Sequence, residues 1–97
     1  KRIIIFDNIK IDLNKLLIFK DTNEYKINNT EKVILEKMIN NPGKTFSRED
    51  IGKLIDLDKE RSIDVIITRL RKKIETDPKN PKYLQTLRGM GYVLWIE

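Results

Sequence analysis

Ninety-seven residues, 39% hydrophobic and 36% charged with a formal net charge of +5, describe one folded domain with a modest core and a bias toward polyanions. No apolar run approaches the roughly 18 residues a membrane span needs, and no signal-peptide pattern is present. With no histidine and no cysteine, Ser-His-Asp and Cys-His catalysis, zinc sites and disulfides are unavailable, so no enzyme, metal or cofactor is expected.

The absence of cysteine fits a reducing, cytoplasmic setting. The chain opens Lys1-Arg2-Ile3 without an initiator Met, which predicts a domain taken from a longer protein.

The first quarter reads as strands. Ile3-Ile4-Ile5-Phe6 is followed by the alternation Ile9, Ile11, Leu13, then Leu16-Leu17-Ile18-Phe19, then Tyr25 and Ile27. Asp7-Asn8, Asn14-Lys15 and Asp21-Thr22-Asn23 supply the turns, predicting an antiparallel sheet over about residues 1–27. Asn28 with Glu31 three residues on forms a capping-box pattern, Asn standing for Ser or Thr. Ile34, Leu35, Met38 and Ile39 follow at helical spacing, and Asn40-Asn41-Pro42-Gly43 stops that helix. After the short extended stretch Lys44-Thr45-Phe46, Ser47 with Asp50 caps a second helix whose apolar face is Ile51, Leu54 and Ile55. An acidic loop from Asp56 to Glu60 leads into a third.

In that third helix Ile63, Ile67, Leu70 and Ile74 recur at i, i+4, i+7 and i+11, so they share one core-facing side. The same geometry turns Arg61, Val65, Thr68, Arg69 and Lys72 outward. Asp77-Pro78 and Asn80-Pro81 end the helix. Tyr83 to Arg88 and Tyr92 to Ile96 then flank Gly89-Met90-Gly91, the pattern of a β-hairpin with Arg88 at its tip. The whole is an α+β chain: a sheet to about residue 27, three helices over 28–75, and a hairpin over 83–96.

Charge is not spread evenly along it. Residues 61–91 hold eight basic and three acidic side chains, while the rest balances twelve against twelve. A neutral scaffold with one basic third is the footprint of a protein that meets a polyanion on one face.

Two motif-like strings carry nothing. Gly43-Lys44-Thr45 imitates the end of a phosphate-binding loop, but Met38 stands where the earlier glycine is required and no strand precedes it. Asp56-x-Asp58-x-Glu60 lacks the mid-loop glycine and distal glutamate of a calcium loop. No acidic residue lies in an apolar segment that would raise its pKa for acid–base work.

The string Glu60-Arg61-Ser62-Ile63-Asp64-Val65-Ile66-Ile67-Thr68-Arg69-Leu70-Arg71-Lys72-Lys73-Ile74-Glu75 resembles the C-terminal effector domain of OmpR/PhoB-type response regulators. So do Asp77-Pro78, Pro81-x-Tyr83, Gln85-Thr86 and Arg88-Gly89-x-Gly91-Tyr92. Pro42-Gly43, Phe46 and Ser47-Arg48-Glu49 extend the likeness, which covers essentially the whole chain. Glu60 to Val65 and Gln85-Thr86 lean toward the OmpR branch. The family's L-T-x-x-E-F appears here as Ile27-Asn28-Asn29-Thr30-Glu31-Lys32, the second helix ends without the family's frequent Trp, and Ile66 replaces a residue often polar.

The resemblance implies a winged helix-turn-helix in a bacterial, cytoplasmic two-component phosphorelay, with the third helix in the DNA major groove and the hairpin as a wing over backbone and minor groove. It implies Arg69 as a base-edge or flanking phosphate contact, Val65 against a thymine methyl, and Thr68 on base or phosphate. Arg61, Arg71 and Lys72 are expected on phosphates, Arg48 on the backbone, Thr86 on a phosphate at the base of the wing, and Arg88 in a narrow minor groove.

Further implied partners are RNA polymerase, at the loop before the third helix, and a second copy on tandem half-sites. A sensor kinase is also implied, acting through a phosphorylated receiver domain that lies outside this chain. Two other readings stay open: a non-specific nucleic-acid binder with charge but no base code, and a winged helix used for protein contact.

Overall fold

The computed structural model describes residues 2–55 and 60–96, apart from the side chains of Glu60 and Arg61. Most of the acidic loop, where the resemblance places polymerase contact, lies outside the described residues, as does the Arg61 side chain.

Four short strands open the chain: β1 (Ile3–Phe6), β2 (Ile9–Asp12), β3 (Leu17–Lys20) and β4 (Asn23–Lys26), paired antiparallel in sequence order. The turns fall at the expected residues. Asp7 and Asp21 take left-handed φ values of 50° and 56°, which a short polar side chain tolerates better than most. Leu16, at φ 58°, is a position its residue type does not announce; its carbonyl accepts the Ile27 N–H at 3.0 Å and closes the sheet's far end. Ile4, Phe6, Ile9, Ile11 and Ile18 turn inward, whereas Ile3 and Ile5 on β1 stay exposed. Buried Asp12 accepts from the N–H groups of Asn14 and Lys15, both at 3.0 Å, which offsets the cost of its burial.

Both predicted capping boxes form. Before α1 (Asn29–Ile39), the Asn28 side-chain oxygen accepts the Glu31 N–H at 2.8 Å and Glu31 accepts the Asn28 N–H at 3.0 Å. Before α2 (Arg48–Leu54), Ser47 and Asp50 exchange the same two bonds at 3.0 Å each. In α3 (Glu60–Ile74), Ile63, Ile67, Leu70 and Ile74 are all buried against β3 and α2. Burying each is worth about 1.5–3 kcal/mol, so this stripe decides how α3 is rotated.

The hairpin forms as β6 (Leu84–Leu87) and β7 (Gly91–Leu94), but it is not a two-stranded ribbon. The stretch expected only to be extended is a strand, β5 (Thr45–Phe46), with Thr45 opposite Val93 and Phe46 opposite Tyr92. The sheet order is β5-β7-β6, so β7 is central and buried throughout. Gly91 permits this: at φ +135°, a Cβ there would fall 2.1 Å from the Phe46 carbonyl oxygen.

Two buried carboxylates tie the elements together. Glu75, just past α3, accepts the N–H groups of Lys82 at 2.7 Å, Tyr83 at 3.0 Å and Leu84 at 2.7 Å, so the chain entering β6 hangs from the end of the helix. Glu31 pairs with Lys73 at 3.0 Å and joins the start of α1 to the last turn of α3. Lys20 adds a third tie, donating to the Glu75 and Lys72 carbonyls at 2.7 and 3.2 Å, a cation at a helix C-terminus. The first sheet meets the hairpin where Phe6 and Tyr83 stack edge to face at 4.9 Å and the Tyr83 hydroxyl donates to Asp7. Burial first, then that bond, pushes the Tyr83 phenol up to about 12.

Candidate nucleic-acid interface

The buried stripe of α3 fixes what its other side shows. Val65 is 44% exposed, and Thr68, Arg69 and Lys72 are exposed with it. An exposed β-branched residue among cations gains nothing from water. The Thr68 hydroxyl donates back to the Asp64 carbonyl at 2.8 Å, which leaves its oxygen free to accept from an external donor.

Next to this surface lies a cluster facing α2 and the hairpin. Arg48 Nε donates to Asp64 Oδ1 at 2.8 Å, and the Tyr92 hydroxyl donates to the same oxygen. The Tyr92 ring sits between two guanidiniums, Arg48 at 5.8 Å and Arg71 at 5.7 Å from its centroid. Arg71 Nε donates to the Leu84 carbonyl at 2.8 Å, and a second nitrogen donates to the Thr86 hydroxyl. Each guanidinium carries five N–H donors and keeps several for an external anion.

The electrostatics follow from these bonds. The Arg48 hydrogen bond, with a smaller one from Tyr92, holds the Asp64 carboxyl below its usual range. Burial, then the bond to Asp64, raises the Tyr92 phenol, and Asp64 raises the Arg48 guanidinium. Around neutral pH, Asp64 is therefore charged and Tyr92 is a neutral donor.

Of the residues expected to act, the structure brings Arg48, Arg71 and Thr86 into one cluster. Arg48, Thr86 and Arg88 also line, with Tyr92 and Gly91, a cleft of about 220 Å³ between α2 and the hairpin. Val65, Arg69 and Lys72 occupy a separate stripe along α3, outside that cleft. Arg71 is more committed than a free phosphate ligand, because it braces the helix to β6. Sequence reasoning missed Asp64 and Tyr92. Asp64 did carry a signal: it is the one acid between Arg61 and Ile74, about 100° around the helix from Ile63. Tyr92 carried no signal in its spacing, since its partners Arg71, Asp64 and Arg48 lie 21, 28 and 44 residues away in sequence.

Among the described residues, no group of three or more Asp, Glu, His or Cys is arranged to hold a metal, and no helix is long and apolar enough to cross a membrane.

Comparison with known proteins gives this geometry relatives. The family described as "Transcriptional regulatory protein, C terminal" matches residues 22–94. The "Probable transcriptional regulator ycf27" of Guillardia theta is 42% identical over 100 residues, covering 94% of this chain and 38% of that protein. The chain thus spans about two fifths of the length of that curated relative.

Among solved structures, the response regulator DrrB of Thermotoga maritima, an OmpR/PhoB homolog, superposes with a TM-score of 0.85 at 32% identity, over 98% of this chain and 45% of DrrB. The DNA-binding domain of the response regulator AdeR, solved in complex with an intercistronic region, matches at a TM-score of 0.71 and 28% identity, covering 95% of this chain and 98% of that domain. The first two relatives are thus named as regulators, and the AdeR domain as DNA-binding. On the family match, the fold and the α3 surface together, the chain belongs to the family of transcriptional regulatory C-terminal domains and is an OmpR/PhoB-type winged-helix effector domain.

Proposed function

We propose that this domain binds double-stranded DNA sequence-specifically, with α3 in the major groove and the β6–β7 wing at the neighbouring minor groove. The observation that carries the reading is the outward stripe of Val65, Thr68, Arg69 and Lys72, left open by a helix whose opposite side is wholly buried. A major groove about 12 Å wide accepts one such helix. Arg69 is the residue positioned for a guanine edge or flanking phosphate, Val65 for a thymine methyl, and Thr68 for either base or phosphate. Lys72 and Arg61 hold phosphates. Arg48 and Arg71, with Thr86, form a braced phosphate seat at the base of the wing, and Arg88 serves the minor groove.

The likeness to AdeR, a domain solved on DNA, supports the choice of partner. Residues 1–97 act as one effector unit of a longer two-component regulator, which the 38% and 45% shares of ycf27 and DrrB support. In that protein a receiver domain, phosphorylated by a sensor kinase, pairs two copies on tandem half-sites and raises their effective concentration. RNA polymerase meets the loop before α3. Within the family we assign the chain to the OmpR branch, a reading that rests on the likeness of the Glu60 to Val65 and Gln85-Thr86 strings.

The test is binding to a duplex selected from random DNA, against random duplex, at several salt concentrations. A specific reader prefers the selected site by roughly 10³ or more. Arg69→Ala should weaken the specific complex by about 1–3 kcal/mol and relax one base pair. Lys72→Ala should weaken all sequences alike and lower the salt slope by about one. A ratio near one means charge-only binding, and no binding to either duplex means a protein-contact surface.

A further inference from the structure

Met90, at the tip of the wing, has no part in the contacts above. It is 63% exposed, and the residues beside it, Arg88 and Gly89, are exposed too. The turn that carries it is held in shape. The Met90 N–H donates to the Leu87 carbonyl at 2.9 Å, and the glycines on either side sit at φ +75° and +135°. Gly89 has open space around it, whereas Gly91 is pressed against Phe46, so the tip is narrow and anchored on its return side. A narrow, anchored tip ending in an unbranched apolar side chain suits a slot more than an open surface.

We propose that Met90 probes the minor-groove floor and disfavours G·C pairs beneath the wing, making it a specificity-determining residue for the DNA reading above, on which this inference rests. The minor groove is about 6 Å wide and 7.5 Å deep, and its floor differs between pair types by one group. A·T pairs present acceptors only. A G·C pair adds the guanine 2-amino donor.

Arg88 and Met90, two residues apart on the same tip, answer these two features differently. The Arg88 guanidinium, all donors, satisfies the acceptors. The Met90 thioether is only a weak acceptor, so a guanine amine covered by it loses its water and gains almost nothing. The penalty falls on G·C alone, about tenfold in affinity per covered pair.

The experiment uses the selected duplex and exchanges flanking pairs one at a time for A·T, G·C or inosine·C, which lacks the 2-amino group. Binding is read by fluorescence anisotropy for wild type, Met90→Ala and Met90→Leu, with thermal melting to show that each variant is folded. Wild type should bind A·T and inosine·C alike, and G·C about tenfold more weakly, at one or two adjacent positions. Met90→Ala should bring that ratio close to one, and Met90→Leu should keep it. Equal binding of inosine·C and G·C at every flanking position overturns the inference, as does a ratio that survives Met90→Ala or disappears in Met90→Leu. If wild type prefers the selected site yet shows no such ratio, only the role of Met90 falls. If wild type prefers no duplex, the DNA reading falls with it.

Discussion

Asp64 lies between the buried and outward stripes of α3, and its carboxylate accepts from both Arg48 and Tyr92. Its charge therefore sets where one cationic side chain and the ring between two of them come to rest. The folded domain binds the Asp64 proton more weakly than the unfolded chain, whose value is about 3.8. The stabilisation is complete above that value and is lost as pH falls through it toward the lower folded one. Melting temperature should thus decline on acidification from about pH 5, and Asp64→Asn should flatten part of that decline. The rest stays, because Asp7, Asp50 and Asp77 are lowered as well. Parallel curves for variant and wild type between pH 2 and 6 would show that the cluster contributes nothing to folding.

At the same scale, the outward residues of α3 were legible because a 3.6-residue period assigns every position once four isoleucines and leucines define the core. The bracing of Arg71 by β6 was not, since it depends on a carbonyl that the chain reaches only after a turn of several residues.

Elements were legible where their signals are local. Both capping boxes, the Asp turns and the helix stop at Asn40 to Gly43 involve residues within four positions of one another. β5 was not, being two residues long and a strand only because β7 arrives beside it from 46 to 48 residues further along. Its presence changes the wing from a free ribbon into a sheet edge clamped at Gly91. Two glycine substitutions separate these pictures. Gly89→Ala meets no atom and costs only its left-handed backbone, about 1–2 kcal/mol. Gly91→Ala meets the Phe46 carbonyl as well, so it should cost clearly more, above about 2 kcal/mol by urea unfolding, and should expose β5 amides to hydrogen exchange. Equal losses would mean that β5 does not clamp the wing.

Across the whole molecule, charge and packing divide the labour. The first sheet and α1 supply much of the core, and carboxylates such as Glu31 and Glu75 are spent on internal ties. The excess of cations over residues 61–91 is thereby left at α3 and the wing. Such a distribution steers a polyanion toward one face and weakens with salt, whatever bases are read.

The most direct test of the central claim is amide chemical-shift mapping of the domain as a selected duplex is added. The largest changes are expected at Val65, Thr68, Arg69 and Lys72, a second group at Arg48 and Thr86 to Met90, and little change along β1 to β3. Shifts confined to β1 to β3, with the amides of α3 silent, would contradict it.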